Sequence, residues 1–201
     1  LKKHIKHFYP SSTSLTPEQK HHFVTGWFFW LSDAIGVIAA FLNIIWVPFI
    51  LFVGVTIPTL SLTIPILIAF LVNILHAFIL YKTRVKIGFK ESLLSAIATM
   101  SLQLTIFKAV YEGFVKDGLP FKRTEKGGNT NKKSKNPVYS ETVLASLLTI
   151  SFLALILTNK SGITEIYVFA FTLLVQSIPY YSAIILMFIE MYSIRKLSKT
   201  S

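Results

Sequence analysis

Residues 89–114 read FKESLLSAIATMSLQLTIFKAVYEGF, and whether they cross a membrane or lie on it sets the architecture of the whole chain. The stretch is long enough to cross, since about 20 helical residues span the hydrocarbon layer. Its large apolar residues nevertheless form a single stripe: Phe89, Leu93, Ile97, Met100, Leu104, Phe107, Tyr111 and Phe114, spaced by threes and fours. That spacing marks one helical face. Off the stripe lie Glu91, Ser95, Thr99, Gln103, Lys108 and Glu112, with Lys108 and Glu112 at i,i+4, where they can pair. A charged face is costly in hydrocarbon and tolerable at the interface. The pattern predicts an amphipathic helix lying in the membrane plane.

The rest of the composition is that of an integral membrane protein. Of 201 residues, 53% are hydrophobic and only 14% charged, and the mean hydropathy is +0.61. A soluble domain of this length is far more polar. The net charge of +11 sits mostly in segments between apolar runs, not on one soluble face. That distribution fits membrane topology and attraction to anionic lipid. The expected partner is the lipid bilayer, with no nucleic acid. The chain has no cysteine, which excludes disulfides, thiolate chemistry and cysteine-ligated metal.

Toward the N-terminus, a second span is expected over about 62–81, with Asn73 and His76 inside it and Lys82, Arg84, Lys86 and Lys90 closing it. The uncharged stretch 56–61 turns the chain back to a first span over about 34–55, which contains Asn43. Before it, Gly26-Trp27-Phe28-Phe29-Trp30-Leu31 forms an aromatic belt suited to a membrane–water boundary. Thr16-Pro17-Glu18-Gln19 reads as a helix start, with Thr16 as cap and Gln19 as its capping-box partner. Leu1, Ile5 and Phe8 share one face of a basic segment that fits a short surface helix.

Toward the C-terminus, the loop 115–139 carries Lys116, Lys122, Arg123, Lys126, Lys132, Lys133 and Lys135. A third span is expected over about 141–158, a short turn at 159–162, and a fourth span over about 164–187 containing Gln176 and Pro179. If 89–114 lies flat, all the major positive clusters share the cytoplasm, and only Lys160 falls outside. The expected fold class is all-α integral membrane: four transmembrane helices in two hairpins, amphipathic interface helices and a cytoplasmic gating loop. The expected segments are interface helices over 1–25, a first hairpin over 26–88 and an amphipathic helix over 89–117. A gating-type loop over 118–140 and a second hairpin with basic tail over 141–201 follow. The expected localisation is multi-pass in a bacterial inner (plasma) membrane, with both termini cytoplasmic.

The sequence contains no P-loop, no dinucleotide-binding glycine fingerprint and no nucleophile elbow. His21 and His22 are adjacent, so on a helix they point about 100° apart and cannot both face one metal ion. The nine acidic residues form no catalytic pair. No catalytic residue, metal ligand or cofactor site is therefore assigned within the chain. Trp27 and Trp30 could stack on a sugar, although aromatic residues at such places more often anchor the interface. Asn43, Asn73, His76 and Gln176 read as interhelical polar contacts or as the lining of a polar path.

The remaining chemistry lies in Gly118-Leu119-Pro120-Phe121-Lys122-Arg123-Thr124-Glu125-Lys126-Gly127-Gly128. Gly127 and Gly128 free the backbone at one end, and Leu119-Pro120 sets an extended start at the other. Between them lie a ring, a guanidinium, a hydroxyl and ammonium groups, a set suited to a diphosphate. A basic loop that only fixes topology is the alternative.

The order of these elements, with Phe121-Lys122-Arg123-Thr124-Glu125-Lys126-Gly127 at this place, resembles the C-terminal membrane region of bacterial family 2 glycosyltransferases of the cellulose synthase type. Their gating loop carries a Phe-x-Val-Thr-x-Lys-Gly pattern; Arg123 departs from it. The stretch 15–27 is also similar to the segment that follows the family's Gln-x-x-Arg-Trp motif, so the resemblance covers nearly the whole chain. It implies that Phe121, Thr124 and Lys126, with Arg123 as a possible added diphosphate contact, close over a nucleotide sugar, UDP-linked in this family. It also implies a catalytic glycosyltransferase domain preceding this chain, with a divalent metal, Mg or Mn, and an inverting mechanism. That domain's catalytic Asp residues and Gln-x-x-Arg-Trp motif are absent here. The opening at Leu1, inside a helical pattern, fits a C-terminal piece of a longer protein. The competing classes are a small transporter or channel subunit and a structural membrane adaptor.

Overall fold

Long apolar runs leave the backbone no means of satisfying its polar groups in lipid except within a helix or a closed barrel. Uninterrupted leucine, isoleucine, phenylalanine and alanine with few turn residues favour the helix. The computed structural model describes residues 15–55, 61, 63–116 and 137–197. Among them it is all-helical, without strands. The helices are α1 (Pro17–Val53), α2 (Ile64–Leu80), α3 (Phe89–Ser101), α4 (Gln103–Val115), α5 (Tyr139–Thr158) and α6 (Thr164–Leu197), with a π-helical turn at Tyr81–Val85. Five helical stretches are long and apolar enough to cross a membrane: Pro17–Val53, Ile64–Val85, Phe89–Val115, Tyr139–Thr158 and Thr164–Tyr192. The chain thus has the character of a multi-pass helical membrane protein.

The chain packs as two units, one holding α1 as far as Val37 together with α4 from Leu104, the other holding Ile38 to Gln103 with α5 and α6. In the first, the Thr16 amide donates to Gln19 Oε1 at 3.0 Å. The Gln19 amide donates back to Thr16 Oγ1 at 3.3 Å. This reciprocal pair is the expected capping box, and it satisfies donors that a helix start otherwise leaves open. From there α1 runs unbroken through Gly26 and the aromatic belt for 37 residues. At 1.5 Å per residue that is about 55 Å, well beyond the hydrocarbon thickness, so its first turns extend outside that layer. In α4, Leu104 is buried, and Lys116 Nζ meets Glu112 Oε1 at 2.9 Å.

The second unit is built on the α5–α6 hairpin. Leu144, Ala145, Leu148, Ser151 and Leu155 bury one face of α5. Phe169, Ala170, Leu173, Tyr180 and Ala183 are buried on α6. The reversal between them is fixed by Asn159, whose side chain accepts from the Ile163 amide at 3.0 Å and donates to the Ile163 carbonyl at 2.9 Å. Gly162 takes φ +67° in this turn, the left-handed region that glycine enters without steric cost. Tyr181 and Thr149 bridge the two helices at 2.8 Å. The Thr149 hydroxyl spends its one proton on the Ala145 carbonyl, so Tyr181 is the donor.

Against α6 packs α3. Its buried residues are Ser92 and Ala96, both small, not members of the large apolar stripe. Small residues let backbones approach, which is how helices associate where lipid removes any hydrophobic advantage of contact. The stripe residues Phe89, Leu93, Tyr111 and Phe114 stay exposed. Within 89–114 the α-helical hydrogen bonding lapses for one residue, Leu102, whose amide donates to the Thr99 carbonyl at 3.2 Å while its backbone stays in the right-handed helical region. Next to α3 lies α2, with Phe78 stacked on Phe89 at 5.6 Å between ring centres.

Candidate functional site

Phe121, Arg123, Thr124 and Lys126 lie outside the described residues, as does all of 117–136. What the structure describes are the two anchors of that segment. On the N-terminal side, α4 ends at Val115, and Lys116 is engaged with Glu112. On the C-terminal side, Pro137 and Val138 turn into α5, where Thr142 bonds the Val138 carbonyl through its amide at 2.9 Å and its hydroxyl at 2.8 Å. The third residue of α5 is Glu141, only 6% exposed. Its Oε2 is buried without a hydrogen-bond partner, and it lies within electrostatic range of Tyr180. A carboxylate in the first turn is favoured by the helix dipole, but an unpaired buried oxygen is costly. In sequence Glu141 is merely an acidic residue at a span end. The one available signal is its place in the first turn directly after the basic loop.

Trp27 and Trp30 stand one turn apart on α1. Trp27 is half-buried, with Phe23 at 6.5 Å between ring centres. Trp30 is exposed and meets Phe29 edge-on at 5.4 Å. They present aromatic surface, as an interface belt does. His21 and His22 have ring centres 5.9 Å apart at a steep interplanar angle, 77°. Among the described residues, no group of three or more His, Cys, Asp or Glu is placed to hold a metal ion.

The intramembrane polar residues separate into two kinds. Asn43 Nδ2 donates to Gln176 Oε1 at 2.8 Å, joining α1 to α6 within the second unit. Asn43 is 2% exposed and Gln176 half-buried, so this single bond lies at the edge of the packed interior. One turn further along α1, the Trp46 indole N–H is buried without a partner. Asn73 and His76 behave differently, since both are exposed on α2. A cavity of about 150 Å³ lies at the α5–α6 turn, bounded by Ile50, Leu155, Thr158, Asn159 and Ile166. It is below the size usual for an organic ligand site.

No known protein family matches the chain, and neither a curated protein nor a solved structure is similar enough to match.

Proposed function

We propose that this chain is the membrane-embedded module of a family 2 inverting glycosyltransferase, in which residues 118–128 gate the nucleotide-sugar site of a catalytic domain. The observation that carries this reading is the pattern Phe121-Lys122-Arg123-Thr124-Glu125-Lys126-Gly127, held between an amphipathic stretch and a hydrophobic hairpin. Its chemistry suits the task. Arg123 and Lys126 each offer a charge-assisted hydrogen bond to a diphosphate, about 1.5–3 kcal/mol. Thr124 offers a weaker neutral one, and Phe121 an apolar face. Closure has to reverse at every turnover, so these gains nearly balance the entropy of ordering a glycine-flanked loop. The metal and the catalytic carboxylates belong to the catalytic domain, with a UDP-sugar as donor and a glucan-like or lipid acceptor. Trp27 and Trp30 offer stacking surface to a sugar.

The topology that serves this function has four spans, with 89–114 at the interface and both termini and the gate in the cytoplasm of a bacterial inner membrane. Two features favour it over five spans. The stripe of 89–114 leaves Glu91, Lys108 and Glu112 off its apolar face, and charged side chains are costly in hydrocarbon. The segment is also the least apolar of the five spanning candidates.

The test uses the full-length enzyme. Thr124→Ala and Lys126→Ala are expected to cut turnover at least tenfold with expression and membrane insertion unchanged, because single polar substitutions outside a packed core cost little stability. Lys133→Ala, outside the pattern, is the control. Normal turnover with Thr124 and Lys126 both replaced returns the loop to a topological basic linker. The transporter or channel reading gains nothing from Asn43, whose amide is engaged with Gln176 within the second unit. A structural adaptor predicts no glycosyl transfer in any form of the parent protein.

A further inference from the structure

Among the spanning candidates, Ile64–Val85 is the one whose apolar window has no buried share at all. Phe78 turns one side of α2 toward α3. Ala69, Asn73, His76 and Leu80 follow one another at spacings of four, three and four, and all four are exposed. That is the spacing of a two-helix seam, on which one face keeps meeting a partner along its length. Within Ile64–Leu80 the only polar side chains are Asn73 and His76, and both fall on this seam. Asn73 lies near the middle of the helix, where lipid offers a carboxamide nothing to bond. Polar side chains in spans face protein or water, not hydrocarbon.

We propose that α2 is a self-association surface, pairing in parallel with α2 of a second copy of this chain. The choice of occupant follows from depth and chemistry. Two copies in one membrane are related by an axis along the membrane normal, so residues at equal depth meet their own counterparts. A carboxamide is self-complementary, with donors on its nitrogen and an acceptor on its oxygen, so Asn73 can bond Asn73 of the second copy in both directions. One turn earlier on the seam, Ala69 is small enough to let the backbones approach. A single asparagine in such a seam also fixes register and the number of helices. This inference rests on the described helix alone and holds whether or not the chain serves a glycosyltransferase.

The test exploits the absence of native cysteines. In lipid vesicles at high lipid-to-protein ratio, single variants Ala69→Cys and Leu80→Cys are expected to form disulfide-linked homodimers on mild oxidation. Leu71→Cys and Leu75→Cys, exposed on the other side of α2, are expected to stay monomeric. Adding Asn73→Leu to Ala69→Cys is expected to lower dimer yield about three- to tenfold, in line with interhelical hydrogen bonds in membranes, and Asn73→Gln to retain most of it. Equal cross-linking from both sides indicates random collision and overturns the proposal. So does the absence of dimer from Ala69→Cys, or a dimer yield unaffected by Asn73→Leu. All these positions are exposed, so the variants leave the packed hairpin intact.

Discussion

Asn43 and Gln176 each place a carboxamide within a long apolar stretch, and the Asn43 amide donates to the Gln176 oxygen at 2.8 Å. Asn43→Leu leaves the Gln176 oxygen without its donor and is expected to destabilise the second unit by about 1–2 kcal/mol. Asn43→Leu with Gln176→Leu is expected to cost less than the sum of the single changes. The coupling in a double-mutant cycle should be about 0.5–2 kcal/mol, read from reversible unfolding in mixed micelles. A coupling of zero means that the bond contributes nothing beyond its parts. Gly162 sits at φ +67° in the α5–α6 turn, with open space where a side chain would go. Gly162→Ala therefore meets no clash but does meet backbone strain, and is expected to cost about 1–2 kcal/mol by the same measurement.

Helix starts and stops follow local chemistry closely. The Thr16–Gln19 box opens α1 as the sequence predicts. Thr16→Ala is expected to cost about 0.5–2 kcal/mol, confined to the first turn. Hydrogen exchange should show faster amides near residues 18–20 and unchanged protection in the spans. The behaviour of 89–114 was less accessible to pattern reading. The apolar stripe is continuous in sequence, yet the residues buried where α3 packs beside α6 are the small Ser92 and Ala96. Hydrophobic periodicity identifies the side that avoids water. In a membrane that side suits lipid as well as protein, so it does not identify the helix–helix contact.

For the molecule as a whole, the proposed four-span topology puts residue 130 in the cytoplasm and residue 160 outside. Thr130→Cys and Lys160→Cys, the only thiol in each variant, are expected to react oppositely with a membrane-impermeant reagent added to intact cells. Equal labelling removes the topology, and with it a gate facing a cytoplasmic nucleotide. Composition and run length by themselves determined the membrane class, the helical fold and the places of the long apolar helices, because lipid forces each segment to satisfy its own backbone. The capping box and the turn after α5 were equally local and equally legible. Only tertiary structure decided that Asn43 meets Gln176 while Asn73 and His76 stay exposed, and that Glu141 is buried with an unpaired oxygen. In sequence these are the same kind of residue, a lone polar group in or beside a span. What separates them is which other helix lies within 3 Å, and that depends on residues more than a hundred positions away.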